Sequence, residues 1–205
     1  MSVKNEYSKI QPLIDKCEEF CVLDDRHKAD LLSMTDRRTI PKGGYFVRAG
    51  EVSNSIGFLV SGMLRYFYID PEGREYTRYF CKAGNFVSSY TSVLAHRPSS
   101  YSIQALDDID LIVFPITNWQ LLNAKDLLWS SLTIRVLESA QILSEERERS
   151  LILDSATERY LDLIGKFPGI EEKVKQYDLA GYLGITPVAL SRIRGRLKSK
   201  KNSWN

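Results

Sequence analysis

The sequence predicts an α+β protein: a β-roll of jelly-roll type after a helical N-terminal segment, then a second helical stretch and a helix-turn-helix. Three observations carry this. Short strand-like runs separated by turn residues fill about Arg38 to Phe114, helical apolar spacing returns after Pro115, and residues 176–197 hold two short helices around a tight turn. Apolar period separates the classes, because side chains alternate along a strand and return to one helix face every three or four residues.

Residues 6–34 read as helical, with Ile10, Leu13, Ile14 and Cys17, then Phe20 and Cys21, at helical spacing. From Arg38 the runs YFVRA, SIGFLVSG, MLRYFYI, EYTRYF, YSIQAL and DLIVFP are rich in the β-branched and aromatic residues that suit a pleated surface. Gly43-Gly44, Gly50, Gly62, Asp70-Pro71-Glu72-Gly73 and Gly84 separate them as turns. Short strands at near-regular intervals suit a roll or barrel. After Pro115 a stripe of Trp129, Leu132, Val136, Ala140 and Leu143 marks a helix to about Arg149. A stripe of this kind ordinarily faces a core.

In QYDLAGYLGITPVALSRIRGRL, residues 176–197, apolar residues fall at Leu179, Leu183, Ile185, Leu190 and Ile193. Small Ala180 sits where two helices would cross, and Gly184 where the chain must turn with positive φ. Thr186 can cap free backbone N–H groups and Pro187 suits the first helical position, so the second helix begins at about Pro187. In a helix-turn-helix the N-terminal part of that second helix enters the DNA major groove. Val188, Ser191 and Arg192 are then the candidates for base edges, with Arg192 suited to a bidentate pair on guanine. Thr186, Arg194, Arg196 and Lys198 are placed for phosphates, beside Pro187 at the helix start.

A helical hairpin packed in a core is the alternative, and charge argues against it. Residues 173–205 carry eight Lys and Arg against the single acid Asp178, a net +7 in a chain of net +2, so residues 1–172 sum to −5. A basic tail on a mildly acidic body fits a phosphate-binding domain attached to a sensor.

At 205 residues, 43% hydrophobic and 26% charged, the chain is expected to be soluble and to form two domains. No apolar run approaches the ~18 residues that span a bilayer, and the polar, amphipathic start lacks a signal-peptide core, so a cytoplasmic protein without membrane association is expected. Three cysteines, Cys17, Cys21 and Cys81, cannot all pair within one chain and suit a reducing compartment.

The chain as a whole resembles the Crp/Fnr superfamily of bacterial transcription regulators over roughly residues 10–200. The anchors are IPKGGYFVRAGEVSNSIGFLVSGMLRYFYIDPEGRE at 40–75, AGNFVSS at 83–89, RPSSYSIQALDD at 97–108, SATERYLDLI at 155–164 and the helix-turn-helix. The resemblance implies a cyclic-nucleotide-binding-like β-roll sensor with N-terminal helices at 1–115, a dimerisation helix at 116–150 and a winged helix-turn-helix DNA-binding domain at 151–205. It also implies double-stranded DNA, a second copy of the chain forming a homodimer, and RNA polymerase as partners. The apolar stripe would then be the dimer seam, and the mixed charges of Glu145 to Arg149 the hinge.

The effector pocket departs from the family pattern. In members that bind cyclic AMP, a Gly-Glu pair holds the ribose and an Arg-Ser or Arg-Thr pair the cyclic phosphate, since a partly buried anion needs a fixed counter-charge. Here Ser88 and Ser89 occupy the first pair of places and Ser99 and Ser100 the second, so both charged groups are gone. Arg97 lies two positions early, before Pro98. A serine-lined site of Ser88, Ser89, Ser99, Ser100 and Tyr101 would take an unknown small-molecule effector, or be filled core; cyclic AMP is not expected.

No cofactor is expected. The iron–sulfur relatives use four cysteines, one more than this chain has, and Cys17 and Cys21 share one helical face as core residues would. His27 and His96 read as surface residues rather than haem or metal ligands. Metal-dependent β-roll enzymes need two or three convergent histidines and a carboxylate, and no Gly-rich phosphate loop, Gly-x-Ser-x-Gly elbow or Cys-His pair is present, so an enzyme is not expected. The remaining alternative is a regulatory module that binds a partner protein or small ligand through the roll without specific DNA binding.

Overall fold

The computed structural model describes residues 7–202. They divide into two compact units: one runs up to Tyr66 and includes Phe80–Ile142, the other comprises Phe67–Tyr79 and the chain from Leu143.

In the first unit, helices α1 (Gln11–Glu18) and α2 (Asp25–Met34) precede strand β1 (Asp36–Ile40). Strands β2 (Tyr45–Val47), β3 (Ser55–Ser61), β4 (Met63–Ile69), β5 (Glu75–Lys82) and β6 (Phe86–Val87) follow, the ends of β4 and β5 next to their shared turn, Phe67–Tyr79, being counted with the second unit. Short helix α3 (Tyr90–Ala95), then β7 (Ser102–Ala105) and β8 (Ile109–Pro115), complete the roll. The two sheets have the orders β1-β8-β3-β6 and β2-β7-β4-β5. First pairs with last, second with second-last, third with sixth and fourth with fifth, which is the pairing of one long hairpin rolled into a jelly roll.

Strand β1, DRRTI, was not expected. Its first four side chains are exposed, so no apolar alternation betrays it, and its antiparallel ladder with β8, from Asp36 opposite Val113 to Ile40 opposite Ile109, holds it. The expected helix over 6–34 is two helices, broken where Asp24 caps α2 by accepting the His27 backbone N–H at 2.9 Å.

After the roll come α4 (Ile116–Lys125) and the long α5 (Leu127–Leu153). Asp126 separates them and accepts the Leu128 N–H at 3.0 Å, which restarts the helix. His27, expected at the surface, is instead largely enclosed: its ring lies 2.7 Å from Asp24 and 3.3 Å from Asp126, edge-on to Trp129. Both carboxylates are held below the usual range, Asp24 chiefly by the His27 backbone N–H and Asp126 chiefly by that of Leu128.

Trp129 and Leu132, both 0% exposed, join Leu13, Ile14, Leu31, Phe58, Ile112, Phe114 and Leu122 in one core. The start of the expected seam therefore packs on the chain's own roll, while Ala140 and Leu143 further along the stripe are exposed. Helix α5 also runs unbroken through Glu145–Arg149, where a hinge was expected, and ends at Leu153.

In the second unit α6 (Ala156–Lys166), α7 (Ile170–Lys173), α8 (Gln176–Tyr182) and α9 (Pro187–Asn202) complete the chain. No strand lies among the described residues beyond β8. The wing implied by the family resemblance is thus not among them: Phe167 to Lys175 closes through one turn of helix, and α9 continues to Asn202. No helix among the described residues is long and apolar enough to cross a membrane.

Candidate nucleic-acid interface

Helix α6 begins at a capping box, in which the Ser155 hydroxyl accepts the Glu158 N–H and the Glu158 carboxylate accepts that of Ser155. It contributes Tyr160 and Leu163 to a core with Ile170, Val174, Leu179, Ala180, Leu183, Leu190 and Ile193, all buried. Ala180, 0% exposed, sits in the middle of this core as its size predicts. Ile185 is only half-buried.

The turn between α8 and α9 is fixed from several sides. Gly184 has φ +67°, the left-handed conformation its position requires. The Ile185 N–H returns to the Ala180 carbonyl at 3.0 Å and the Gly184 N–H to that of Gly181 at 3.1 Å. The Arg147 guanidinium donates to the Tyr182 carbonyl at 2.5 Å, and Arg159 Nε to the Leu183 carbonyl at 3.0 Å. Gln176 Nε2 donates to the Pro187 carbonyl at 2.9 Å, tying the two helices together. The Thr186 hydroxyl accepts the Ala189 N–H at 3.2 Å, so it caps α9 as the sequence predicts.

Leu190 and Ile193 hold the inner face of α9, and the outer face carries the candidate reading residues. Val188 is 60% exposed, and Ser191, Arg192, Arg196 and Lys198 are exposed. Val188 and Arg192 are one turn apart on one face. Pro187 is half-buried at the helix start and Thr186 exposed beside it.

Arg194 does not join that face. It forms a 2.6 Å ion pair with Glu171, whose carboxylate also accepts the Tyr160 hydroxyl at 2.7 Å, and it lies over the Tyr160 ring. Burial and this bond to Glu171 raise the Tyr160 phenol. The cluster ties α6, α7 and α9 together. Of the basic tail, the side chains of Lys200 and Lys201 lie outside the described residues.

The serine site in the roll is internally bonded. Ser99 Oγ donates to the Tyr101 carbonyl at 2.7 Å, so the 2.8 Å contact between the Ser89 and Ser99 hydroxyls requires Ser89 as donor. The Tyr101 N–H also points to Ser99 Oγ at 3.4 Å, and the Tyr101 hydroxyl donates to the Ser88 carbonyl at 3.3 Å. A hydroxyl has one proton to give. Those of Ser89, Ser99 and Tyr101 are all committed to the protein, and Ser100 and Arg97 stand exposed.

Sequence reading missed neighbours of the same kind. Ser92 accepts the Ser53 N–H at 2.8 Å and donates to the Arg97 carbonyl, and Ser102 accepts the Ala49 N–H at 3.0 Å. These buried hydroxyls pin the loops of the roll. Arg65 on β4 is a further cation buried in the roll that the sequence did not single out. Burial pushes the Cys17 and Cys81 thiols up to about 12, which keeps them protonated and poor metal ligands.

Residues 37–125 match the cyclic nucleotide-binding domain family. No curated protein sequence matches the chain. Among solved structures it is similar in fold to FixK2 from Bradyrhizobium japonicum, with TM-score 0.69 and 15% identity over 82% of this chain and 86% of that one. The c-di-GMP-responsive global regulator CLP of Xanthomonas campestris gives TM-score 0.67 and 15% identity, covering 87% and 93%. The catabolite activator protein of Thermus thermophilus gives 0.51 and 21%, covering 89% and 87%.

Proposed function

The chain having the Crp/Fnr fold, with a cyclic nucleotide-binding domain over residues 37–125, we propose that it is a dimeric, sequence-specific DNA-binding transcription regulator not switched by a cyclic nucleotide. The observation that carries the reading is the outer face of α9, where Val188, Ser191, Arg192, Arg196 and Lys198 point outward from a helix fixed by Thr186, Leu190 and Ile193. Arg192 reads a base, and Thr186, Arg196 and Lys198 hold phosphates. The protein is cytoplasmic, acts on double-stranded DNA and is not an enzyme. Its parts are the roll to residue 115, the dimerisation helix to 150 and the DNA-binding domain beyond.

The dimer seam is the outward side of α5. Leu127, Ile134 and Ile142 are 83%, 56% and 58% exposed there, while Trp129 and Leu132 are engaged in the core. A two-fold axis through this helix places two recognition helices in successive major grooves, about 34–36 Å apart.

Effector independence rests on the committed hydroxyls. A cyclic phosphate needs donors and a counter-charge, and Ser89 gives its proton to the Ser99 hydroxyl while Ser99 gives its own to the Tyr101 carbonyl. One salt titration tests both parts. Log affinity for duplex DNA is expected to fall linearly with log salt with a slope of several units, each neutralised phosphate releasing counterions. Millimolar cyclic AMP, cyclic GMP or cyclic di-GMP leaves the curve and the melting temperature where they were. A flat salt response contradicts DNA binding, and a saturable shift with a nucleotide contradicts the effector reading.

A further inference from the structure

Arg147 lies in the charged run of α5 where the family resemblance implied a hinge, and it makes three contacts at once. Its guanidinium carbon stands 3.6 Å from the centre of the Tyr182 ring, its Nη2 donates to the Tyr182 carbonyl at 2.5 Å, and its Nε donates to the Arg78 carbonyl at 3.2 Å. Tyr182 is the last residue of α8, two residues before the Gly184 turn that sets the angle of α9. Arg78 lies on β5, within the segment Phe67–Tyr79 that belongs to the same compact unit as the helix-turn-helix.

Desolvation makes this contact set costly to break. Burial lowers the Arg147 pKa from its ordinary value, and the ring face and the two carbonyls are what replace water around the cation. The far side of the contact is stiff as well. In the β4–β5 turn the Asp70 carboxylate accepts the backbone N–H groups of Glu72 and Arg74 at 3.0 and 2.8 Å, Arg74 Nε at 2.6 Å and the Tyr76 hydroxyl at 3.1 Å. A single forked guanidinium thus bonds a braced hairpin to the end of the first helix of the helix-turn-helix. Strand β5 itself continues through Phe80–Lys82, which belong to the unit of the roll.

We propose that Arg147 is a positioning residue, a latch through which the β4–β5 hairpin sets the turn before the recognition helix. The structural coupling stands without DNA; its use in regulation rests on the DNA-binding reading above. Lysine cannot replace Arg147, because one ammonium lacks the planar fork that serves two carbonyls and a ring.

Hydrogen exchange of the full-length protein without DNA tests the latch. Arg147→Lys keeps the charge and the stem. It is expected to speed exchange by about threefold or more both at Gly184 and Ile185 and in residues 74–79, with the helical circular dichroism unchanged. Asp70→Asn, which loosens the hairpin turn, is expected to speed exchange at Gly184 and Ile185 in the native background and to add nothing there when Arg147 is already Lys. If Arg147→Lys loosens Gly184 and Ile185 but leaves 74–79 as it was, Arg147 is only a local cap and the latch is wrong. The latch is also wrong if Asp70→Asn acts to the same extent in both backgrounds. Neither outcome touches the salt titration, so failure of the latch and failure of DNA binding are read separately.

Discussion

Ile134→Glu is expected to turn the protein from a dimer into a monomer at micromolar concentration and to lower affinity for its operator by about a hundredfold or more. Ile134 is 56% exposed in the single chain, on the side of α5 turned away from the Trp129 and Leu132 core. A carboxylate there costs the fold little, since solvent already reaches the site. At a two-fold axis the same residue from each copy lies near its mate, so two carboxylates replace an apolar contact. Operator affinity falls because a monomer holds one half-site and loses the intramolecular second contact. Light scattering measures the mass, and circular dichroism checks that the monomer is folded. A variant that stays dimeric moves the seam elsewhere on the surface.

The second large effect falls on Arg192. Arg192→Ala is expected to weaken operator binding by roughly 1–3 kcal/mol per reading head and to relax preference at one symmetric pair of base positions. The guanidinium is exposed on the Val188 face, and no fold contact is lost with it in the way the Glu171 pair would be lost with Arg194. Lys198→Ala, by contrast, is expected to weaken all sequences slightly and alike. Binding to operator and scrambled duplexes at one salt concentration separates the two. Equal losses on both duplexes for Arg192→Ala make it a phosphate contact and pass base reading to Ser191 or Arg196.

The contrast between Arg192 and Arg194 shows what the sequence could carry. Gly184, Thr186 and Pro187 act on their own neighbours in the chain, so the turn, the cap and the start of α9 were legible within a few residues. Both arginines lie on α9, but only the placement of Glu171 and Tyr160 reveals that one faces inward. Helix α5 has apolar residues on two sides, and periodicity alone does not say which side meets its own roll. Trp129 and Leu132 do, leaving Ile134 and Ile142 outward.

The same limit applies to the serines. Their positions showed that the charged nucleotide ligands were missing, but whether the hydroxyls faced a cavity or one another depended on Ser89 meeting Ser99 ten residues on, a contact made by the closing of the roll. Strand β1 was invisible because backbone bonds to β8, not buried side chains, keep it in place. The family resemblance implied that Arg147, within the mixed charges of Glu145 to Arg149, belongs to a hinge. Its ring and carbonyl partners come from residues 78 and 182, far off in sequence.

Selection of bound duplexes from a pool with a randomised centre tests the central claim most directly. A dimer with Arg192 presented on each α9 is predicted to enrich a near-palindrome whose half-sites lie about one helical turn apart, 34–36 Å, each with a guanine at the symmetric position that Arg192→Ala relaxes. Recovery of unselected sequence at a salt concentration where the protein still binds DNA would contradict sequence-specific reading and leave α9 as a phosphate-binding surface alone.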